Sequence, residues 1–394
     1  MKINIYILGV FLIAATISPA LSSEISIDDY LSLIENQNAE INYYKTISVS
    51  LEYKFKTAYI PQNPSLELER MYIGNSEEKS FYIKQNLINP LKSNMYKKNA
   101  KLDYDSYRLE YETIRNKILT EAENVYYDYL FLLNEKKTLS DLSAVADSVV
   151  SASKYQTKKS SLDILSAETE YSDIIKRLKE IETQEKLLLN KLRSFTGDYE
   201  INFSTYISEN IRSDYDKKDL ISKLSLNPEI LKAKKDEEIF NIALKISKMS
   251  YFPDFMIGYR KRTLPQSYDI ILGMDLPIFF NKNAAQIREA RLIKESYSYA
   301  YKKKFAEKEY MLNKILLNLE NYINLFYYHK DVLLPKSNAE FNLSIALYQK
   351  GEADISQVTN SLKRNLEIKI DYYEYLFEFY KTKAELKELL GRKL

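Results

Sequence analysis

The chain has no cysteine, no tryptophan and a single histidine, and only seven glycines and nine prolines among its 394 residues. Without cysteine it forms no disulfide, offers no thiol nucleophile and carries no cysteine for lipid attachment after an export signal. A zinc site needs clustered His or Cys, and His329 stands by itself after Tyr327 and Tyr328, which reads as a structural or surface residue. HExxH, GxxxxGK and GxSxG are all missing, so the sequence predicts neither catalysis nor a cofactor. A net charge of +2 gives no basic footprint for nucleic acid. After the N-terminal segment no run of 18 apolar residues occurs, which excludes a bundle of membrane-spanning helices but not a membrane barrel, whose signal per strand is weak. Scarcity of glycine and proline leaves room for long uninterrupted helices.

The N-terminus sets the expected compartment. Lys2 precedes the 15-residue apolar run INIYILGVFLIAATI, and SPALSSE follows, with Ala20 and Ser22 suited to the −3 and −1 positions of a cleavage site. The run is shorter than the roughly 20 residues that a spanning helix needs. Residues 1–22 are therefore read as a secretory signal peptide.

What is present is duplicated. SIDDYLSLIENQNAEI (26–41) has a counterpart in KKDLISKLSLNPEILKAKK (217–235), and SFYIKQNLINP (80–90) has one in YDIILGMDLPIFF (268–280). A long charged stretch follows in each copy, then a Tyr-Gln pair (Tyr155, Tyr348), then a leucine-rich helix closing on Gly197 or Gly391. Asn38 and Asn227 lie 189 residues apart, Ala100 and Ala290 190 apart. The expected organisation is one repeat over 23–197, a linker at 198–216 where periodicity fails, and a second repeat over 217–394. Each copy is read as helix, strand, strand, long helix, turn, return helix.

Ser26 and Asp29 have the spacing of a capping box at the first helix. From about Pro90 to Tyr155, apolar residues recur in alternating steps of three and four: Tyr104, Tyr107, Tyr111, Ile114, Ile118, Ala122, Val125, Tyr129 and Leu132, then Leu139, Leu142 and Ala146. A helix of that length reaches about 100 Å at 1.5 Å per residue. The return arm, about 161–196, is half as long, so the other half of the long helix needs another partner, for which the helix before the strands is the candidate. Only Glu185 breaks the apolar series of the return arm, and Pro335 predicts a mild kink in the second long helix.

Four short segments alternate with period two: about 64–72, 80–88, 254–262 and 268–276. Leu66, Leu68, Ile257, Tyr259, Ile270 and Leu272 fall on apolar faces; Glu67, Glu69, Lys84, Arg260, Asp269 and Asp275 fall on the opposite ones, while Gln85 and Met71 break the pattern. Soluble hairpins alternate in the same way. Two features point to a membrane instead. The strands are about nine residues long, as tilted spanning strands are. Aromatics also crowd both ends: Tyr59, Tyr251, Phe252, Phe279 and Phe280 at one, Tyr72, Phe81 and Tyr268 at the other. Four strands cannot close a barrel, so a membrane reading requires several copies.

With these features in hand, the chain resembles the TolC-type outer-membrane efflux proteins. The matching stretches are NAEI and NPEI after the first helices, YFPDFMIGYR entering a strand, ILGMDLPIFF leaving one, DVLLPKSNAEFNLSIALYQKGEADISQV (331–358), and AELKELLG at the end. The resemblance implies a mainly α fold with a small β part: long coiled-coil hairpins and four antiparallel strands per protomer, assembled as a homotrimer with a 12-stranded outer-membrane β-barrel over a periplasmic α-barrel. It implies a passive exit duct of a tripartite efflux or type I secretion system, with outer-membrane lipid around it, and a periplasmic adaptor and an inner-membrane transporter as partners. It implies that the hairpin tips close the tunnel and meet the adaptor. Those tips hold Tyr155, Lys158, Lys159 and Asp163 in the first copy and Tyr348, Gly351, Glu352 and Asp354 in the second. The first turn has Lys158 where the family often has glycine. The polar strand residues Glu67, Glu69, Lys84, Arg260, Asp269 and Asp275 would line the barrel lumen. The competing expectation is a soluble periplasmic coiled-coil scaffold or adaptor without a pore.

Overall fold

The computed structural model describes residues 24–58, 60–154, 161–198, 201–212, 215–263, 265–277 and 280–392. The expected signal peptide, Tyr59, Phe279 and the first-turn residues Tyr155, Lys158 and Lys159 lie outside them. Helices α1 (Ile27–Gln37) and α2 (Ala39–Thr57) lead to strands β1 (Ser65–Ile73) and β2 (Ser76–Leu87), then to α3 (Pro90–Lys154) and α4 (Ser161–Thr196). The same order recurs with α5 (Lys217–Leu224), α6 (Pro228–Lys248), β3 (Asp254–Thr263), β4 (Gln266–Asp275), α7 (Phe280–Tyr328), α8 (Leu334–Lys350) and α9 (Ile355–Leu389). A π-helical turn, His329–Leu333, joins α7 to α8. Where a mild kink is expected at Pro335, the π-helical turn sits just upstream of it, and the proline occupies the first turn of α8. Among the described residues no helix is long and apolar enough to cross a membrane.

Where the sequence suggested one opening helix per copy, there are two, and an asparagine divides them. Asn38 is extended (ψ 125°) and its side-chain oxygen accepts from the N–H groups of Glu40 and Ile41 at 3.0 and 3.1 Å. Its amide donates to the carbonyl of Phe195, at the end of α4, at 2.9 Å. Asn227 does the same in the second half: it accepts from Glu229 and Ile230 at 2.9 and 3.2 Å and donates to Leu389 at 2.8 Å. One side chain thus satisfies an orphan donor end of one helix and an orphan acceptor end of another. Ser26 caps α1, accepting from the Asp29 N–H at 3.2 Å and donating to its carboxylate at 2.7 Å.

Near the strands the helices stand side by side in the order α2, α3, α6, α7. The upper half of α3 therefore packs on α6 as well as on α2, a cross-copy contact that the sequence pattern did not specify. Arg115 of α3 makes a two-pronged contact to Glu35 of α1 at 2.8 and 2.6 Å. Farther away α3 pairs with α4, α8 with α9, and α4 touches α9. Their shared core holds Leu139, Ala146, Ile174, Phe341, Ile355 and Leu362. Of the predicted seam, Ile118, Ala122, Val125, Leu132, Leu139, Leu142 and Ala146 are buried, whereas Tyr107 is exposed. Tyr126, Tyr127 and Leu130 are buried too, because α3 has neighbours on more than one side. Glu185, which breaks the α4 series, receives Lys136 of α3 at 2.6 Å.

Residues 201–212, within the expected linker, are pinned against the helices. Ile25 forms a parallel bridge with Phe203, whose ring lies edge-on to Tyr30 at 4.9 Å, and Tyr30 and Tyr126 donate to the carbonyls of Leu192 and Ser204. Burial pushes the Tyr126 phenol up to about 12. Glu229, two residues beyond Asn227, faces three lysines: Lys308 at 2.7 Å, Lys304 at 3.4 Å and Lys117 at 3.9 Å. Burial alone would raise its carboxyl, but the Lys308 hydrogen bond and the surrounding lysine charges outweigh that and hold it below the usual range.

Two predictions follow from these contacts. Asn38→Asp and Asn227→Asp keep the cap acceptor and lose the donor, so thermal unfolding of each should fall between wild type and the alanine variant, which should lose about 1–2 kcal/mol. A lowered carboxyl pKa means that Glu229 stabilises fully above the ordinary carboxylate range and ceases to do so as pH falls through its lowered value. Glu229→Gln should cost about 2 kcal/mol at pH 7, and the gap should close in strong acid when melting is followed from pH 7 to 3.

Candidate conduit wall and helical tips

The four strands form one antiparallel sheet in the order β1-β2-β3-β4. The central pairing, Ile83 with Tyr259, joins the two halves of the chain. The expected spans hold to within two residues except at β2, which starts at Ser76, four residues before its predicted beginning. A two-residue turn at Gly74–Asn75 lets the polar stretch SEEKS pair with β1, Met71 standing opposite Glu78.

The pairing register sorts side chains onto two faces. One face carries Leu68, Phe81 and Tyr268 in one row, with Lys261 between the last two; Leu66, Ile83, Tyr259 and Ile270 in the next; then Ile257 with Leu272; then Leu87, Phe255 and Met274. This face is bare: Leu68 is 77% exposed, and Ile270 and Leu272 are each 78% exposed. Gln85 interrupts it, and its amide donates to the Gln62 carbonyl at 2.9 Å, so its polar head is satisfied. Tyr251 and Phe280 stack at 6.3 Å near the helix end, and Tyr259 and Tyr268 stack at 6.1 Å toward the hairpin turns.

On the opposite face the register gathers all six residues predicted for the lumen: Glu67, Glu69, Lys84, Arg260, Asp269 and Asp275. Asp275 is exposed at the helix end, opposite Asp254. Lys84 donates to Glu67, Ser80 donates to Glu69 at 3.1 Å, and Arg262 lies 2.9 Å from Asp269 and 4.0 Å from Glu78. Tyr82 lies buried among them, with Lys84 4.4 Å and the Arg260 guanidinium 5.1 Å from its ring centre. Gly258 makes room for that ring, since a Cβ there would sit 2.5 Å from Tyr82 Cε2. Sequence reasoning left out Arg262 and Glu78. Arg262 follows from Arg260 by alternation; Glu78 lay before the assumed start of β2.

At the far end, α8 stops at Gly351, whose φ of +76° suits a residue without a Cβ. The N–H groups of Gly351 and Glu352 return to the carbonyls of Tyr348 and Leu347 at 3.0 and 2.9 Å, closing the helix end. Tyr348 is buried with Ala353 and Ile355 under the turn, while Glu352 and Asp354 point to solvent. Val150 of α3 belongs to the same core. Asp163 falls in the first turn of α4. The helices above the second tip are tied by the Ser344–Ser361 hydroxyl pair at 2.6 Å and by Asn365, which donates to Ser337 and Asn338 at 3.1 and 2.8 Å. Among the described residues no group of carboxylate or imidazole side chains is arranged to hold a metal ion.

No protein-family model matches the chain, and no curated protein matches it in sequence. Solved structures do match it in shape. A membrane protein from Pseudomonas aeruginosa superposes with a TM-score of 0.83 at 13% identity, covering 93% of this chain and 90% of the other. CusC, whose folding and transmembrane channel formation have been studied structurally, gives 0.83 at 13% identity over 93% and 92%. The outer-membrane protein VceC of Vibrio cholerae gives 0.81 at 11% identity over 93% and 96%. At such low identity the likeness shows the fold, which is that of the TolC-type outer-membrane channels.

Gly351→Ala forces a side chain into the left-handed region and should destabilise the second tip by about 1 kcal/mol, whereas Gly351→Asn should cost less. Amide exchange over residues 340–360 reads the difference; equal protection in all three proteins would contradict the cap.

Proposed function

We propose that the protein is a passive exit duct through the bacterial outer membrane, extending into the periplasm, and that its sheet is one third of a shared barrel. The observation that carries this reading is the sheet itself. One face is apolar and bare, the other is charged and internally paired, and among the described residues both edge strands lack a partner. Free edges are untenable in hydrocarbon, where each unpaired backbone group costs several kcal/mol. Because the four strands alternate in direction, β4 of one copy meets β1 of the next antiparallel, and copies close by one repeated pairing. Two copies would give about 8 strands, a barrel filled by its own side chains; three give about 12 and leave a lumen.

The helices support the same count. The row α2, α3, α6, α7 has free flanks at α2 and α7, and both carry exposed apolar residues: Tyr43, Val49 and Tyr53 on one, Leu292, Tyr299 and Tyr310 on the other. Flank-to-flank closure of three rows makes a tunnel of twelve helices below the barrel. Residues 1–22 serve as the export signal, and the chain is organised as repeats 23–197 and 217–394 around the linker 198–216. The tips, with Tyr155, Lys158, Lys159, Asp163, Tyr348, Gly351, Glu352 and Asp354, close the tunnel and meet a periplasmic adaptor, while an inner-membrane transporter supplies energy and selects substrate. The duct itself performs no chemistry. A soluble scaffold would leave the bare face of the sheet without a purpose.

Absence of native cysteine makes the test clean. Single cysteines at Glu67 and Asp269 in reconstituted protein should react with a membrane-impermeant thiol reagent, and cysteines at Leu68 and Ile270 should be at least tenfold slower, the contrast expected between pore water and hydrocarbon. The detergent-purified protein should be trimeric and conduct in planar bilayers. A monomer soluble without detergent, or equal labelling at all four positions, would overturn the reading.

A further inference from the structure

We propose that the outward face of the sheet carries, at its hairpin-turn end, a docking site for the phosphate-bearing headgroups of outer-leaflet glycolipid, formed by Arg70, Lys79 and Lys261; this rests on the reading of the sheet as a barrel wall. Arg70 and Lys79 are directly opposed in the β1–β2 register, and Lys261 stands opposite Phe81, two residues from Lys79 along β2. Arg70 and Lys79 stand immediately beyond the apolar rows and Lys261 stands in the outermost of them, so the three cations occupy one patch across three neighbouring strands. All three are exposed. Glu77 pairs with Arg70 and lies 3.6 Å from Lys79, so it offsets one charge and leaves the patch at about +2 by simple count.

Two further observations mark it as an interfacial patch. Lys261 lies 5.7 Å from the ring centre of Tyr268, and the Arg70 guanidinium lies 5.8 Å from that of Tyr72, the pairing of aromatic and snorkelling cation found where membrane meets water. The charge is also confined to one end. At the helix end of the same face the last row is Leu87, Phe255 and Met274, and the strand termini there (residues 62–64, 88–90, 252–253 and 276–277) hold no lysine or arginine. Solubility alone would not favour one rim. A bilayer whose two leaflets differ would, and cations near a membrane surface are attracted to anionic headgroups charge by charge.

The experiment is native mass spectrometry of the detergent-purified assembly mixed with a bis-phosphorylated glycolipid of the outer-leaflet type, or with the same lipid after enzymatic removal of its phosphates. The R70Q/K79Q/K261Q variant and the charge-keeping R70K/K79R/K261R variant are compared with wild type. Retention of the phosphorylated lipid should fall about tenfold in the glutamine variant, stay near wild type in the charge-keeping one, and fall similarly when wild type meets the dephosphorylated lipid. Equal retention across variants, or across lipids, would overturn the proposal. Conductance in planar bilayers is measured in parallel: normal conductance without phosphate-dependent retention removes the lipid site alone, whereas failure to insert removes the barrel reading and the site with it.

Discussion

An unpaired backbone hydrogen-bonding edge cannot face hydrocarbon, and the proposed barrel answers that one constraint. In that reading a four-stranded sheet whose edges, β1 and β4, have no strand partner among the described residues is completed by copies of itself. The even strand number makes every junction antiparallel. Period-two alternation then offers one face to lipid and the other to water, and the cross-strand pairs Lys84–Glu67 and Arg262–Asp269 keep charge together on the side where water would be. The helices inherit the same open geometry, since a row with two apolar flanks is as incomplete as a sheet with two edges.

The two architectures meet over a few residues, where the chain changes period from 2.0 to 3.6. Asn89 caps α3 by accepting from the Leu91 N–H at 3.0 Å, and its own N–H donates to Asp254 at 3.2 Å at the start of β3. Lys92, buried one turn into α3, reaches the same carboxylate at 2.8 Å. The first half's exit from the sheet is thereby fastened to the second half's entrance. At the waist a second set of bonds fastens helix ends: Asn38 and Asn227, and the buried Glu123, 1% exposed at its side chain, which takes Lys387 of α9 at 3.1 Å together with Arg392. Short polar clasps thus fasten segments that are far apart in sequence.

Those clasps are what the sequence conceals. Periodicity alone places α3 from Pro90 and α4 from 161 to 196, and alternation places all six predicted lumen residues on one face of one sheet, because local repetition reports directly which side of an element is polar. The helical break at Asn38 is hidden, since IENQNAEI stays apolar-periodic across it and only the paired NAEI and NPEI hint at a common task. Tyr107 fits the heptad yet is exposed, and Tyr126 and Tyr127 do not fit it yet are buried, because a helix with several neighbours has more than one seam. Glu78 was missed because a polar hairpin arm looks like a loop until its partner strand is known.

The two long helices differ for a reason that combines these points. In α3 the buried residues Ile118, Val125, Leu132, Leu139 and Ala146 keep strict steps of seven, and the helix runs unbroken from Pro90 to Lys154. In the second half Leu312, Leu319 and Phe326 keep the same step, but the next buried hydrophobic residues on the way to the tip are Phe341 and Tyr348, 15 and 22 residues after Phe326, one position out of phase. A straight helix would rotate that stripe by about 100° away from α9. A π-helical turn accommodates one extra residue without breaking the helix, and it occurs at His329–Leu333, between the two phases. His329 opens that turn: its Nδ1–H donates to the Leu325 carbonyl at 2.9 Å and its ring lies 4.9 Å from that of Tyr375 on α9. The π-helical turn thus keeps one apolar seam facing α9 from waist to tip, although the second half has a different count of residues from the first.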